Sequence, residues 1–456
     1  MRGLRWETVM PSGVKILLGS GWVTLVALTL LAASAAQTRA EEEATPEVSA
    51  EAPAEQSRLS EIEEKVESLA EEVGRLESIF AVPEEVELES FSGLGPAASK
   101  VYKRDQGLSI GGYGEVRLRS YHNQDDDDQN DIFDALRAVL YVGYKFNDKW
   151  VVNTELEFEH GGSGGGGSVS TEFATVDYLW REEANFRAGL VLIPMGFVNE
   201  IHEPTFFYGA ERPEVERRIL PSTWRENGVG VFGRLNDRVD YRFYVVNGFD
   251  GSGFSSDGLR GGRQKGSRAL SDDFAFVGRV DVDITDGLLF GGSVYTGQSG
   301  QEQTDDDTGL DLPDAHTTIY ELHAQYKGYG ASFRALWTQA FIDEAGSLSR
   351  ALGKGQREAI ASQMNGWYVE GGYDILPLFL DTRATLEPYF RYEYYNTQQK
   401  VADSFDRDKS KDIDLYVAGL QFKPIPQVVF KVDYRHFDPA DGDKADEIQA
   451  LVGYVF

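Results

Sequence analysis

The chain lacks cysteine, is poor in basic residues for its size and has no long apolar run after its first forty positions. None of its 456 residues is cysteine, which excludes disulfide bonds, thiolate metal sites and cysteine nucleophiles. It has 44 Lys and Arg against 75 Asp and Glu, for a formal net charge of −31. Because binding to nucleic acid requires a basic surface, we exclude a nucleic-acid partner. After residue 40 there is no run of about 18 apolar residues, so we expect no later helix to span a membrane.

The first 40 residues have the three parts of a secretory signal peptide. Arg2, Arg5 and Lys15 precede an apolar stretch at 16–36, and small residues close that stretch. This order of positive, apolar and small residues directs export from a bacterial cytoplasm. We therefore assign 1–40 as a signal peptide. An uncleaved anchor is the alternative, because the apolar stretch is long enough to cross a bilayer.

From residue 106 to residue 456 the polarity alternates with period two. This period, together with 22 Tyr, 26 Phe and 49 Gly in the chain, predicts an all-β fold of many strands and turns. Sixteen strand-like segments are predicted at 108–119, 134–146, 149–159, 171–181, 185–193, 223–235, 238–247, 273–284, 287–297, 316–327, 329–340, 364–375, 383–395, 412–423, 427–437 and 446–456.

The connections between these segments alternate between short turns and long polar loops. Short turns such as Asn147-Asp148 and Asn236-Asp237 follow the even-numbered strands, and long loops follow the odd-numbered strands. This alternation is typical of an antiparallel transmembrane β-barrel in the bacterial outer membrane, with periplasmic turns and external loops. Sixteen strands enclose a lumen that we expect to be filled with water. A soluble β-sandwich would give the same alternation of polarity and is the alternative.

The last strands predict which side chains face lipid. Ile448, Val452 and Phe456 share one face of the final segment, and Glu447 and Gln449 lie on the other. In the preceding segment Phe430, Val432 and Tyr434 alternate in the same way with Lys431, Asp433 and Arg435. We expect the apolar sets to face lipid and the charged sets to face the lumen.

Between the signal peptide and the barrel we predict a linker, a coiled coil and a second linker. Residues 41–56 are acidic and lack a periodic apolar face, as in a solvated linker. In 57–82 apolar residues follow one another at alternating spacings of three and four, which predicts a narrow seam on a coiled-coil helix. The seam consists of Leu59, Ile62, Val66, Leu69, Val73, Leu76 and Phe80. A lone amphipathic helix on the periplasmic mouth of the barrel is the alternative. Residues 83–105 are assigned to the second linker.

Two stretches resemble known outer-membrane proteins. The terminal Gly453-Tyr454-Val455-Phe456 is similar to the C-terminal signature of such proteins, which implies that Phe456 is an assembly signal for the barrel-assembly machinery. Residues 187–235 resemble the phosphate-selective porin O and P superfamily. They share with it Pro194 and Gly196 after a strand, Arg212 in the loop and the Pro-x-x-Trp-Arg-Glu-x-Gly pattern that starts at Pro221.

The resemblance implies a trimeric sixteen-stranded channel with a constriction built partly by an inward-folding loop. Loop 194–222 is the candidate, because four prolines stiffen it. We expect Arg212, Arg217 and Arg218 to face Glu200, Glu203 and wall arginines such as Arg137. The full set of predicted constriction residues is Glu200, Glu203, Arg212, Arg217, Arg218 and Arg225. Phosphate selectivity is not carried over, because the basic residues of the superfamily's phosphate-selective members cannot be matched one by one.

Charges of both signs are predicted along the pore wall. Several arginines are predicted to face inward, and inward carboxylates alternate with them. Those assigned to the pore wall are Arg117, Arg137, Arg187, Arg242 and Arg391. A mixed wall of this kind is typical of channels for small solutes, with anions such as phosphate or carboxylates among the candidates. The alternative is that these charges pair across neighbouring strands and only stabilise the wall.

Little in the sequence points to catalysis or to a bound cofactor. The six histidines show no nucleophile or metal-protease spacing, so we predict no catalytic residue, cofactor or metal. A barrel hydrolase and an envelope-tethering or adhesion protein are the alternative functions. The acidic clusters at 125–128 and 305–307 are assigned to solvation, or alternatively to divalent cations that bridge lipopolysaccharide. The expected partners are outer-membrane lipid and lipopolysaccharide, two further copies of the chain, the assembly machinery and a small solute.

Overall fold

The computed structural model of the protein describes residues 52–80, 88–122 and 129–456. The signal peptide, most of the first linker and the acidic cluster at 125–128 therefore lie outside the described residues. Contacts divide the chain into two units, Met1–Val86 and Glu87–Phe456. No helix among the described residues has the length and apolar character needed to span a membrane.

The first unit contains helix α1, Ala52–Phe80. Pro53 stands in its first turn, where a missing backbone N–H costs nothing, and Glu61 pairs with Lys65 at 2.9 Å one turn later. The described seam residues Ile62, Val66, Leu69 and Val73 are 52–64% exposed. The helix predicted at 57–82 is present and begins earlier, and its assembly into a coiled coil stays a prediction.

The second unit is a closed antiparallel barrel. Each strand pairs with its neighbours in the chain, and β1 closes the ring against β16. All sixteen predicted strands are confirmed, with ends shifted by a few residues. The strands are β1 Gly107–His122, β2 Ile132–Lys145, β3 Trp150–Glu159, β4 Ser168–Arg181, β5 Ala184–Leu192, β6 Arg225–Leu235, β7 Val239–Asn247, β8 Phe274–Thr285, β9 Leu288–Gly297, β10 Thr317–Gly328, β11 Ala331–Ile342, β12 Gln363–Tyr373, β13 Thr385–Lys400, β14 Asp412–Ile425, β15 Val428–Pro439 and β16 Asp446–Val455.

The short turns have the backbone geometry that tight hairpins require. Tyr329 and Gly330 connect β10 to β11 with φ angles of 52° and 77°. Two successive positive φ angles are typical of the type I′ turn, whose twist matches that of the flanking strands. All the short turns thus lie at one end of the barrel and the long loops at the other.

The predicted assignment of faces is confirmed. Ile448, Val452 and Phe456 are 44–49% exposed on the outside, and Glu447 and Gln449 are buried on the inside. Aromatic side chains border the outer apolar belt near the short turns, as with Trp150 packed on Tyr178 at 4.8 Å between ring centroids. A belt with an aromatic border is the surface that membrane barrels present to lipid.

The structure differs from the predicted linker at 83–105. Its segment 94–103 lies inside the barrel as helix α2, Pro96–Ser99, followed by a 3-10 helix, Lys100–Lys103. Ala98 O accepts a hydrogen bond from Asn153 of β3 at 2.8 Å, and Tyr102 donates one to Asp177 of β4 at 2.7 Å. Small residues permit this approach, because a Cβ at Gly95 would lie 2.5 Å from Glu203 Oε1.

The lumen is packed with polypeptide to a greater extent than the sequence predicts. Three long loops fold inward: 193–224 (loop L3), 248–273 (loop L4) and 343–362, which carries helix α4, Ala345–Ala351. Helix α3, Glu214–Arg218, lies within loop L3. The remaining 3-10 helices are Asn236–Arg238, Gly251–Gly253, Arg260–Gly262, Leu376–Leu378 and Lys409–Lys411.

Candidate functional site: loop L3 and the lumen wall

Loop L3 leaves β5 and returns at β6, yet it reaches the opposite wall of the barrel. Ala210 N donates to Asp433 of β15 at 2.7 Å, and Tyr208 donates to Glu387 of β13 at 2.8 Å. Ile193, Val215 and Trp224 of the loop have no exposed surface and belong to an apolar core that the loop shares with loop L4 and the barrel wall. The predicted inward folding of 194–222 is therefore confirmed.

Cationic side chains of the wall bind backbone carbonyl groups of loop L3. Lys431 donates to Phe207 O at 2.6 Å and to Gly209 O at 2.9 Å, and Arg391 donates to Tyr208 O at 3.0 Å. The same type of contact is made by Lys423 to Thr205, Arg334 to Phe206 and Arg279 to Gly196. These cations fasten the loop, so their donors are not free to meet a passing solute.

Acidic residues of loop L3 bind other wall arginines. Glu200 accepts a hydrogen bond from Arg242 at 2.9 Å. Glu211 accepts from Arg119 at 2.6 Å and also contacts Arg117 on the same strand. These ion pairs fasten the first part of the loop to β7 and its tip to β1.

Helix α3 carries its own ion pairs. Glu214 accepts from Arg218 at 3.0 Å and Arg217 at 3.3 Å, and Arg435 of β15 contacts the same carboxylate at 3.0 Å. Burial opposes ionisation of Glu214, but Arg217, Arg435 and Arg218 outweigh it and hold the pKa well below its usual range. Arg217 and Arg218 therefore stabilise the loop from within.

The structure does not bring all of the predicted constriction residues together. Glu200 pairs with Arg242, and Glu203 accepts from Ala97 N at 3.0 Å, so neither meets Arg217 or Arg218. The reason is that the loop extends across the lumen, so that Glu200 contacts β7 whereas helix α3 contacts β13 and β15. Of the predicted set, Arg225 pairs with Glu172 of β4 at 2.6 Å.

Each of the five predicted wall arginines has a carboxylate partner. Across or along the strands, Arg137 pairs with Glu115 at 2.7 Å, Arg187 with Asp177 at 2.8 Å and Arg391 with Glu393 at 2.8 Å, while Arg117 and Arg242 bind loop L3. The alternative hypothesis, that these charges pair and stabilise the wall, describes their geometry. The inward arginines thus contribute less free positive charge than their number suggests.

A second group of cations lies where loop L4 packs on loop L3. Arg263 of loop L4 donates to Pro221 O at 3.2 Å. Arg212 of loop L3 is 7% exposed, and its Nη2 has no hydrogen-bond partner among the described residues. Arg260 Nη1 is likewise buried and unpartnered. The group, called the basic cluster, comprises Arg212, Arg217, Arg225, Arg260, Arg263 and Lys265.

The cations of the basic cluster repel one another. Burial, followed by the charges of Arg263, Arg217 and Arg212, lowers the pKa of Arg260. Of the carboxylates nearby, Glu211 binds two arginines of β1 and Glu172 binds Arg225. A site of this kind favours an anion, because an anion supplies the missing acceptors and charge.

The sequence predicts the members of the basic cluster that lie in loop L3 and strand β6, but not those in loop L4. The missed residues are Arg260, Arg263 and Lys265. The available signal was the stretch 259–270, which holds four basic residues and no acidic one.

Two cavities lie beneath loop L3 at the turn end of the barrel. One has a volume of about 830 Å³ and the other about 440 Å³. Lys327, Arg334 and Phe206 border both of them. Cationic side chains therefore also line these two cavities at the turn end of the barrel.

Comparison with known proteins identifies a relative by sequence and the fold by structure. No protein-family model matches the chain. An uncharacterized protein of Aquifex aeolicus (strain VF5) is 36% identical over 377 residues, covering 80% of this chain and 84% of that protein.

Among solved structures, two with similar barrels are outer-membrane proteins. OmpF of Salmonella typhi, in complex with daunomycin, is 13% identical and has a TM-score of 0.52; the match covers 77% of this chain and 98% of OmpF. The outer membrane channel DcaP of Acinetobacter baumannii is 12% identical and has a TM-score of 0.50, with 78% and 98% covered. At these identities the likeness shows the fold, that of outer-membrane porins. The finer resemblance to the phosphate-selective superfamily stays a prediction.

Proposed function

Since the chain belongs to the same protein family as the uncharacterized Aquifex aeolicus protein and has the porin fold, we propose that it is a bacterial outer-membrane porin. In this role it conducts small solutes passively through its lumen, and catalysis is not part of the proposal. The outer apolar belt supports the membrane location, because exposed side chains such as Phe430, Val432 and Tyr434 alternate with buried charged ones.

We further propose that the channel prefers small anions, with phosphate and carboxylates as candidates. The observation that carries this proposal is the basic cluster, in which Arg212 and Arg260 have unpartnered guanidinium nitrogens. Guanidinium groups stay charged and bind the oxygens of carboxylate and phosphate groups. Release must remain rapid for conduction, so we expect millimolar affinity, about 4 kcal/mol.

The trimer and the assembly signal complete the proposal. The exposed stripe on helix α1 supports self-association through a coiled coil, because apolar side chains at these spacings pack against copies of themselves. Phe456 is placed at the closure of the barrel, where its backbone exchanges two hydrogen bonds with Gly112 of β1, at 2.8 and 3.0 Å. This position supports a role in assembly, and outer-membrane lipid and lipopolysaccharide remain the expected surroundings.

The reversal potential in a planar bilayer tests the anion preference. Under a KCl gradient the wild type is expected to show an anion-selective potential, and Arg260→Ala with Arg263→Ala is expected to shift it towards zero. The matched control is Arg181→Ala with Arg238→Ala, which removes the same two charges from exposed positions at the short-turn end of the barrel. A cation-selective wild type, or a control that shifts as much as the double variant, would refute the anion preference. Failure of the protein to form channels would refute the porin function itself.

A further inference from the structure

Three buried side chains meet where loop L3 touches strands β3 and β4. His202 Nε2 lies 3.1 Å from Glu155 Oε1 and 3.9 Å from Glu172 Oε2. The side chains are at most 1% exposed, and one ligand atom from each lies within 4.8 Å of the others. One imidazole and two carboxylates therefore converge on a small volume inside the barrel.

The imidazole of His202 is oriented with a free lone pair towards the carboxylates. Its Nδ1 lies 3.1 Å from the carbonyl oxygen of Asn199. A carbonyl only accepts hydrogen bonds, so Nδ1 carries the proton that this contact needs, and Nε2 of the neutral ring is an acceptor. Nε2 and Glu155 Oε1 are then two acceptors in contact, which repel one another unless a cation or a further proton lies between them.

Hydrogen bonds of the Asn199 side chain fix this orientation. The amide group of Asn199 donates to Ile193 O at 2.6 Å and to Trp224 O at 2.8 Å, and its oxygen accepts from Trp224 N at 2.6 Å. The carbonyl that holds the imidazole therefore belongs to a locked residue. Hydrogen bonds of this type orient histidine ligands in metal sites.

The two carboxylates also present unpartnered oxygen atoms. Glu172 Oε1 accepts from Arg225 at 2.6 Å, and its Oε2 has no hydrogen-bond partner among the described residues. Glu155 Oε2 is buried and unpartnered as well, and within the described residues Glu155 makes no ion pair with a lysine or arginine. Buried acceptors without donors are costly. The charges of Arg225, Arg212 and Arg137 act on Glu155, but none of these arginines donates to the two unpartnered oxygens, so the geometry leaves a position for a further positive charge.

We propose that Glu155, Glu172 and His202 form a binding site for a divalent transition-metal ion such as Zn²⁺. Mixed imidazole and carboxylate ligands suit this class of ion, with metal–ligand distances of about 2.0–2.2 Å. Tetrahedral ligands at such distances lie about 3.3 Å apart, so the cluster needs a modest contraction. The ion fastens loop L3 to β3 and β4, and water fills the fourth position.

Zinc titration of the purified full-length barrel tests this site. After treatment with a chelator and its removal, the wild type is expected to bind one Zn²⁺ per chain by calorimetry, and His202→Gln is expected to lower the affinity at least tenfold. Glu172→Gln is expected to have the same effect. Zn²⁺ should raise the melting temperature of the wild type more than that of either variant, because the ion binds the folded state.

His323→Gln is the matched control. His323 is also buried among carboxylates, but its two nitrogens contact Asp281 at 2.8 Å and Glu321 at 2.7 Å, so neither is free for a metal. This variant should bind Zn²⁺ like the wild type. Circular dichroism and heat-dependent gel mobility establish that each variant is folded, and Glu155→Gln replaces any variant that is not.

Two results would overturn the proposal. One is a folded wild type that binds no Zn²⁺, which would mean that a shared proton separates His202 from Glu155. The other is equal affinity in the wild type, His202→Gln and Glu172→Gln, which would place the ion elsewhere, for example on an external acidic loop. Neither readout depends on conductance, so the site and the porin function are tested separately.

Discussion

Replacing Glu211 by Gln tests whether the ion pairs at the tip of loop L3 determine its order. Glu211 lies in the loop between β5 and β6 and binds Arg117 and Arg119 of β1. The three side chains are 11–18% exposed. Burial opposes its ionisation, yet Arg117, Arg217 and Arg119 hold its pKa below the usual range. Glu211→Gln removes the charge with little change of shape, takes the carboxylate partner from Arg117 and leaves Arg119 only the more distant Glu447, at 3.8 Å.

The expected cost follows from this geometry. Removing one partner of a fully buried ion pair costs about 3–5 kcal/mol, and pairs in water contribute less than about 1 kcal/mol. Because these side chains keep some exposure, we expect about 2 kcal/mol. The carbonyl contacts of Lys431 and Arg391 persist, so the loop tip should loosen while the barrel stays closed.

The assays are thermal unfolding and single-channel recording. Glu211→Gln should unfold at lower temperature, show more open-channel noise and become more anion-selective, because Arg117 and Arg119 both lose the charge of this carboxylate. Glu302→Gln is the control, since it removes the same charge from an exposed residue of an external loop.

A double-mutant cycle with Arg117→Gln isolates the ion pair. The double variant should be less destabilised than the sum of the single variants, because removal of one partner already ends the interaction. Strictly additive effects, or noise and stability equal to the wild type in Glu211→Gln, would refute the reasoning.

Three further predictions concern assembly, the trimer and pH. Deletion of Phe456, which removes the hydrogen bonds to Gly112, should lower outer-membrane assembly without changing export, as measured by cell fractionation; normal assembly would contradict the assigned signal. Ile62→Asp with Leu69→Asp should lower the heat resistance of the trimer in detergent and leave the conductance of each pore nearly unchanged; a trimer of full heat resistance would count against the coiled coil. Burial raises the pKa of Glu216 from 4.5 to about 7. Its neutral form therefore contributes up to about 3 kcal/mol to the stability below about pH 4.5, and this contribution is lost as the pH rises through about 7. Glu216→Gln should therefore flatten the fall in melting temperature between about pH 4.5 and 7, and an unchanged slope would rule out this role.

The barrel itself was predictable because its signals are local. Alternation in β16 assigns Ile448 and Val452 to one face and Gln449 to the other, and the exposures agree. The turn between β10 and β11 is also present, although it lies at Tyr329-Gly330, one to two residues after the break that the predicted segments 316–327 and 329–340 leave. Period-two patterns and turn residues require only neighbouring positions in the chain, so a single sequence contains them.

The interior was less predictable because its contacts join distant parts of the chain. Glu203 binds Ala97, which is 106 residues away, and Lys431 binds Phe207 across 224 residues. The small residues of segment 94–103 are typical of a linker. The need for glycine at position 95 becomes apparent only in the structure, where a side chain would clash with Glu203 of loop L3. The pairing of inward charges likewise depends on where the loops lie.

The contacts of loop L3 separate its anchoring from its chemistry. Lys423, Arg334, Lys431, Arg391 and Arg279 bind backbone carbonyl groups of the loop. A carbonyl group is present whichever side chain a loop residue carries, so most substitutions in the loop leave these contacts possible. Substitution of a wall cation, by contrast, removes the donor. Loop side chains outside the ion pairs with the wall, such as Arg212, can therefore vary without loss of these contacts, whereas the wall's side chains determine whether the loop lies inside the barrel at all.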